Sequence, residues 1–258
     1  MSDPQGKFCW YELMTTDLAA AGRFYGSVIG WGVQESGMPG MAYTLFTVGD
    51  TPISGMAALP EDAVRAGARP GWIGYVWVGD VDAAAARVAA AGGALHRPAA
   101  DIPGIGRSAL VADPQGASFV LFRNAGAERP PLPAPSTPGL IGWHELHAGD
   151  REAAFAFYAA LFGWTKTEAV DMGGALGLYQ IFASGEAAVG GMMTRMDASA
   201  PPAWLYYFKV DDIDGAASRV TAGSGTVLNG PQEVPGGTWV VQARDPQGAM
   251  FALVGPHR

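Results

Sequence analysis

The sequence predicts an α+β fold in which one βαβββ unit is used four times. Three observations predict it: an internal repeat in constant register, a proline-rich break between the two copies, and alternating strand and helix patterning within each copy. Residues 10–31, WYELMTTDLAAAGRFYGSVIGW, return at 143–164 as WHELHAGDREAAFAFYAALFGW. Trp10 answers Trp143, Glu12 answers Glu145, Leu13 answers Leu146 and Asp17 answers Asp150. Phe24 and Tyr25 answer Phe157 and Tyr158, and Gly30-Trp31 answer Gly163-Trp164, all displaced by 133 residues (143 − 10). Further on, Asp80-Val81-Asp82 with Arg87-Val88 answers Asp212-Ile213-Asp214 with Arg219-Val220. The run DPQGA at 113–117 answers DPQGA at 245–249, now displaced by 132 (245 − 113). A one-residue deletion separates otherwise parallel halves, and accidental helix similarity does not explain the second motif.

Taken in order, residues 8–15 read as a strand. Thr16-Asp17 then supplies the N-cap of a helix with Leu18, Ala21, Tyr25 and Val28 on one stripe, stopped by Gly30. The β-like runs MAYTLFTVG and TPISGMAAL follow. The order then restarts with WIGYVWV, a helix from about 81 to 91 ending at Gly92, and strands around 107–112 and 117–123. Four units therefore run near 8–60, 72–124, 141–197 and 204–256. Prolines at 130, 131, 133, 135 and 138 fix φ and remove amide donors, so residues 125–140 are expected to form an extended, semi-rigid tether. This predicts an N-terminal domain over 1–124, a linker over 125–140 and a C-terminal domain over 141–258.

Composition bounds the partners. A chain of 258 residues with 49% hydrophobic and 16% charged residues can bury two cores. Its 16 Lys+Arg against 24 Asp+Glu leave a net charge of −8, which repels phosphate backbones and anionic lipid, so neither nucleic acid nor membrane is an expected partner. Cys9 is the single cysteine, which excludes an intramolecular disulfide and suits a reducing compartment. The start MSDPQGKFCWYELM has no basic region followed by a long apolar stretch, and no apolar run approaches the roughly 18 residues of a membrane span. A cytoplasmic location is the expectation.

The pattern W-x-E-L-x-x-x-D, the F-Y…G-W helix end and the D-P-Q-G-A-x-F turn resemble the glyoxalase/bleomycin-resistance/dioxygenase superfamily, also called vicinal oxygen chelate proteins. More narrowly they are similar to tandem glyoxalase-like actinobacterial antigens and hydroxylases. The resemblance implies tandem glyoxalase-like domains, each pairing two βαβββ units into an eight-stranded cup with its ligand in the concave face. A doubled sequence also makes pseudo-twofold packing of the halves natural, a pseudo-dimer within one chain that is otherwise a monomer or weak dimer.

Metal-using members hold a divalent ion through His and Glu, and the resemblance implies where those donors would stand. Counted from Asp17 and Asp150, the first-strand slots fall on Trp10 and Trp143. The slots before the second helices fall near Gly74 and Tyr206, the terminal carboxylate slots on Val120 and Ala252, and the remaining ones near Met56 and Met192. None is an imidazole or carboxylate, so no metal and no other cofactor is expected. His144 and His147 form H-x-x-H, but an odd separation on a strand sends the two rings to opposite faces. His96 and His257 read as solvated.

If the first strands face inward, alternation groups Trp10, Glu12 and Met14 on one wall and Trp143, Glu145 and His147 on the other. An indole beside a carboxylate suits an aromatic or cationic small molecule. The candidate ligand-binding set is therefore Trp10, Glu12, Met14, Met56, Val120, Trp143, Glu145, His147, Met192, Tyr206 and Ala252, with Met193 as an adaptable neighbour. Glu12 and Glu145 are also candidate general acids or bases, since an apolar surround raises a carboxylate's pKa. The competing role for each is structural, accepting backbone amides or an arginine. Cys9, Trp31 and Trp164 read as core residues. The expected function is metal-independent binding of a small apolar or cationic aromatic ligand, for resistance or sequestration. The alternative is a lyase or isomerase of the lactoylglutathione-lyase kind, a dioxygenase or a secondary-metabolite hydroxylase. The differences Tyr11 against His144 and Met14 against His147 would let one half keep a site that the other has lost.

Overall fold

A computed structural model describes residues 5–37, 42–126 and 133–258, without the side chain of Ala175. Pro130 and Pro131 of the expected tether, and Met41 at the head of the MAYTLFTVG run, lie outside the described residues.

The first half contains β1 (Phe8–Thr15), α1 (Leu18–Ile29), β2 (Gly32–Glu35), β3 (Tyr43–Val48), β4 (Thr51–Ala58) and the short α2 (Glu61–Arg65). It continues with β5 (Gly71–Trp77), α3 (Val81–Ala90), β6 (Ala94–Ile102), β7 (Gly106–Ala112) and β8 (Ser118–Asn124). The second half repeats the order with β9 (Ile141–Ala148), α4 (Arg151–Phe162), β10 (Thr165–Asp171), β11 (Leu178–Ser184) and β12 (Ala187–Thr194). It ends with β13 (Ala203–Lys209), α5 (Ile213–Ala222), β14 (Thr226–Val234), β15 (Thr238–Arg244) and β16 (Met250–Gly255). The strands form two eight-stranded sheets, ordered β2-β3-β4-β1-β5-β8-β7-β6 and β10-β11-β12-β9-β13-β16-β15-β14. The fold is the expected tandem α+β arrangement of βαβββ units.

The helix punctuation has local causes. Asp17 accepts from the Ala20 amide at 2.9 Å and Asp80 from Ala83 at 2.9 Å, while Asp150 and Asp212 each cap two amides of their own helices. Gly30 and Gly163 end α1 and α4 at φ of 89° and 75°, a left-handed conformation that costs glycine little.

Cα packing groups the chain differently from the repeat. Among the described residues, one compact unit takes in 5–9, 73–126 and 144–204; the other takes in 10–37, 42–72, 133–143 and 205–258. Each takes one βαβββ element set from each half.

In the second of these units α1 lies against α5, where the Arg219 guanidinium donates to the Val28 carbonyl at 3.1 Å. At its centre the Trp72 indole N–H donates to the Tyr25 hydroxyl at 2.9 Å, and Tyr25 donates in turn to Asp245 Oδ2 at 3.1 Å. The other oxygen of Asp245 accepts the Gln247 and Ala249 amides, closing the DPQGA turn. The first unit repeats the relay with Trp204, Tyr158 and Asp113, at 3.0 and 3.1 Å, and Asp113 likewise closes its own turn. The two most specific motifs of the sequence thus meet each other. Trp31 and Trp164 are core residues as expected, donating to the carbonyls of Gly139 and Gly6. Burying each of these rings is worth roughly 2–3 kcal/mol.

The described part of the tether is not simply extended. Thr137 N–H reaches the Ala134 carbonyl and Leu140 N–H the Thr137 carbonyl, so the chain turns twice. Pro135 and Pro138 each sit second in their turn, where a fixed φ near −65° is already correct. Among the described residues no helix is long and apolar enough to cross a membrane.

Candidate functional site

In the second unit β1 pairs with β4 in parallel, with Glu12 opposite Gly55 and Leu13 opposite Met56. Residues directly opposite share a face, so the sheet separates Leu13 and Met56 from Glu12 and Gly55. Leu13 and Met56 are almost fully buried, and Met56 lies under α1 at Gly22. Trp10, Glu12 and Met14 alternate with them and are half-buried on the face away from that helix. There the Trp10 indole N–H donates to the Tyr43 hydroxyl at 2.9 Å. The Tyr43 ring rests on Gly55 so closely that a Cβ at that position would meet its hydroxyl at 2.1 Å.

The first unit builds the matching wall from β9, β11 and β12. Glu145 lies opposite Gly191 and His147 opposite Met193. Tyr179 covers Gly191 as Tyr43 covers Gly55, leaving 2.1 Å to a Cβ built there. Tyr179 donates to Glu145 Oε2 at 3.0 Å, and Glu145 Oε1 meets His147 Nε2 at 2.7 Å. The Glu145 side chain is 9% exposed and that of His147 31%. His144 points the other way, stacked on Phe8 with its Nδ1–H given to the Val189 carbonyl at 2.6 Å. Burial depresses its pKa to about 4, against the partial support of that hydrogen bond, so the ring is neutral near pH 7.

A third apolar patch on the second unit joins Trp143 to Leu205, Tyr207 and Ala252, with Gln242 donating to the Tyr207 hydroxyl at 2.9 Å.

Three residues of the candidate set stand elsewhere than expected. Met56 and Met192 are register partners of the buried Leu13 and Leu146, so they belong to the opposite face, and Gly55 and Gly191 hold the positions beside the glutamates. Tyr206 is likewise displaced: Tyr207 is the partner of Ala252, while Tyr206 is fully buried against Tyr11. Each error is one residue, and in a strand one residue changes the face. Val120 lies opposite Tyr75, and Gly74 occupies the other face of β5. Tyr43 and Tyr179 were missed, although both recur with their glycines at a common displacement of 136 (179 − 43 and 191 − 55).

A sequence profile described as the Glyoxalase/Bleomycin resistance protein/Dioxygenase superfamily matches residues 7–121 and again 140–253. The chain belongs to this superfamily. Among similar proteins is "Putative glyoxylase CFP32" of Mycobacterium tuberculosis, 34% identical over 98% of this chain and 95% of that protein. Another is "Anthracycline biosynthesis protein DauV" of a Streptomyces species, 30% identical over 96% of this chain and 93% of the relative. Of solved structures, a Mn(II)-bound glyoxalase from Novosphingobium aromaticivorans superposes with a TM-score of 0.66 at 16% identity, covering 99% of this chain and 83% of that one. A variant of homoprotocatechuate 2,3-dioxygenase from B. fuscum gives 0.68 at 16%, covering 98% and 72%. At these identities the two structures share the fold.

Metal use in the superfamily makes the donor set of this member worth testing on its own chemistry. Among the described residues no three His, Cys, Asp or Glu side chains converge. Glu145 and His147 come together, but they spend facing lone pair and proton on each other, and the other carboxylate oxygen takes the Tyr179 phenol. This arrangement does not fit a divalent ion. It fits a carboxylate that orients an imidazole. A shallow surface cleft of about 330 Å³ is lined by Thr16, Leu59 and the α2 residues Glu61, Val64 and Arg65, where Glu61 and Arg65 pair with each other.

Proposed function

We propose that this superfamily member binds a small aromatic ligand, apolar or cationic, on the faces that carry Trp10, Glu12 and Tyr43 in one unit and Glu145, His147 and Tyr179 in the other, in a sequestration or resistance role. The observation that carries the reading is the pair of glycine-floored walls. Each sets a phenol and a carboxylate around a position where a Cβ would not fit. In the second unit Trp10 adds an indole to that wall, and a ligand ring stacks on such a surface while an ammonium gains from both π face and carboxylate. Two of the similar proteins are named for anthracycline biosynthesis, and anthracyclines are planar hydroxyanthraquinones bearing an aminosugar, which matches this chemistry. The metal-dependent lyase and dioxygenase readings call for a donor set that the described residues do not assemble.

The test is titration with daunorubicin, read by quenching of the dye's fluorescence and by thermal shift. Saturable binding is expected, weakened about fivefold or more by Trp10→Ala or by Glu12→Gln, the loss of about 1 kcal/mol typical of one ring or cation contact. No saturable binding and no shift would overturn the proposal.

A further inference from the structure

The two walls differ chemically at one strand position. Two residues beyond the glutamate stands Met14 in the first copy and His147 in the second. On the first wall Trp10 donates to the Tyr43 hydroxyl; on the second Tyr179 donates to Glu145, whose other oxygen meets the imidazole.

A carboxylate only accepts, so in the neutral ring His147 carries its proton on Nε2 and its lone pair on Nδ1. Among the described residues Nδ1 has no hydrogen-bond partner, and the side chain is 31% exposed. The groups facing the ring are Glu145 on its own strand and, through it, Tyr179 on β11, while β12 presents Met193. Glu145 is thereby fixed from both ends: it holds the tautomer and stabilises the imidazolium that would form.

We propose that His147 is the proton acceptor for an acidic phenolic or enolic hydroxyl of the bound ligand, with Glu145 and Tyr179 as positioning residues, and that the Met14 wall lacks this chemistry. In the step the ligand O–H bond breaks, an N–H bond forms at Nδ1, and the electron pair stays on oxygen; the reverse step returns the proton, with no change of oxidation state. The inference rests on the ligand-binding reading above.

The probe is 1,4-dihydroxyanthraquinone, whose visible absorption moves to the red when a hydroxyl ionises. Its binding is followed separately by quenching of tryptophan emission. In the wild-type protein the bound probe is expected to ionise about one pH unit lower than in His147→Gln, a tenfold shift in the proton equilibrium. Glu145→Gln should fall between the two. Equal binding with identical ionisation in wild type and His147→Gln would overturn the inference and leave ligand binding standing. Absence of quenching would overturn both.

Discussion

The Tyr25 hydroxyl lies 3.1 Å from Asp245 Oδ2, across 220 residues of chain, and receives the Trp72 indole N–H on its other side. Burial, then the Asp245 charge, raises the phenol's pKa well above its ordinary value, so Tyr25 stays a donor at every physiological pH. Burial also raises the Asp245 carboxyl, against the amides that stabilise its charge. The relay is therefore a buried polar chain whose members depend on one another, and its twin in the first unit runs through Tyr158 and Asp113.

Removing the middle of that chain should cost more than removing one ordinary hydrogen bond. Tyr25→Phe leaves a buried carboxylate short of a donor and an indole N–H short of an acceptor, for a predicted loss of about 2–3 kcal/mol. Tyr158→Phe should behave alike. In thermal unfolding this corresponds to a fall of roughly 5–10 °C for a chain of this size. A change under about 0.5 kcal/mol would show that water replaces the lost partner.

His144 predicts an acid-sensitive step. Its folded pKa, about 4, lies below the ordinary 6.5, so the unfolded chain takes up the proton first and stability falls as pH drops through the window between those values. Between pH 7 and 4.5 the loss from this group should be about 2–3 kcal/mol. In His144→Gln that part of the pH dependence should vanish, because the amide still donates to the Val189 carbonyl without titrating. Urea unfolding of both proteins at the two pH values measures it.

Neighbouring glycines on β12 should respond very differently to alanine. At Gly190 a Cβ meets the His144 carbonyl oxygen at 2.3 Å and the Phe182 ring at 2.6 Å, and the backbone atom cannot give way. Gly190→Ala should therefore cost about 3 kcal/mol or more. At Gly191 the obstacle is the far end of Tyr179, which can swing aside. Gly191→Ala should cost about 1 kcal/mol or less while breaking the Tyr179–Glu145 hydrogen bond, and the His147-dependent ionisation of the anthraquinone probe should weaken with it. Denaturant melts and the probe titration on the two variants separate these effects.

On the second unit's wall, Tyr43→Phe removes the acceptor of the Trp10 indole without emptying the space over Gly55. Stability should change by about 1 kcal/mol. Trp10 should gain rotational freedom, visible as a loss of emission anisotropy in a protein where this indole is selectively labelled with fluorine or followed by difference from Trp10→Phe. An unchanged anisotropy would mean that packing alone orients the ring.

Much of the geometry of the candidate walls was legible because it is written in alternation. Trp10, Glu12 and Met14 share a face, and the opposite senses of His144 and His147 follow from their odd separation. The assignments at Met56 and Met192 failed for a definable reason. Their strands are bounded by loops, and the ladders that carry them are irregular, with register shifts at Phe46/Thr47 and Phe182/Ala183. Tyr206 failed by the same one-residue slip. Tyr43 and Tyr179 were invisible as site residues because a tyrosine in an apolar strand reads as core until its ring is seen lying on a glycine across the ladder.

The sequence by itself determined the duplication, the order of strands and helices, the aspartate caps and glycine stops, and the outline of an indole-and-carboxylate wall. All of these are local, set by spacing and by the conformational limits of individual residues. Tertiary structure alone decided which neighbour faces which side, that the tyrosine of each FY motif finds the aspartate of the other half's DPQGA turn, and that Glu145 is held between a phenol and an imidazole. Those relationships depend on register and on contacts between residues tens to hundreds of positions apart, where a shift of one residue reverses the face and no local pattern records the choice.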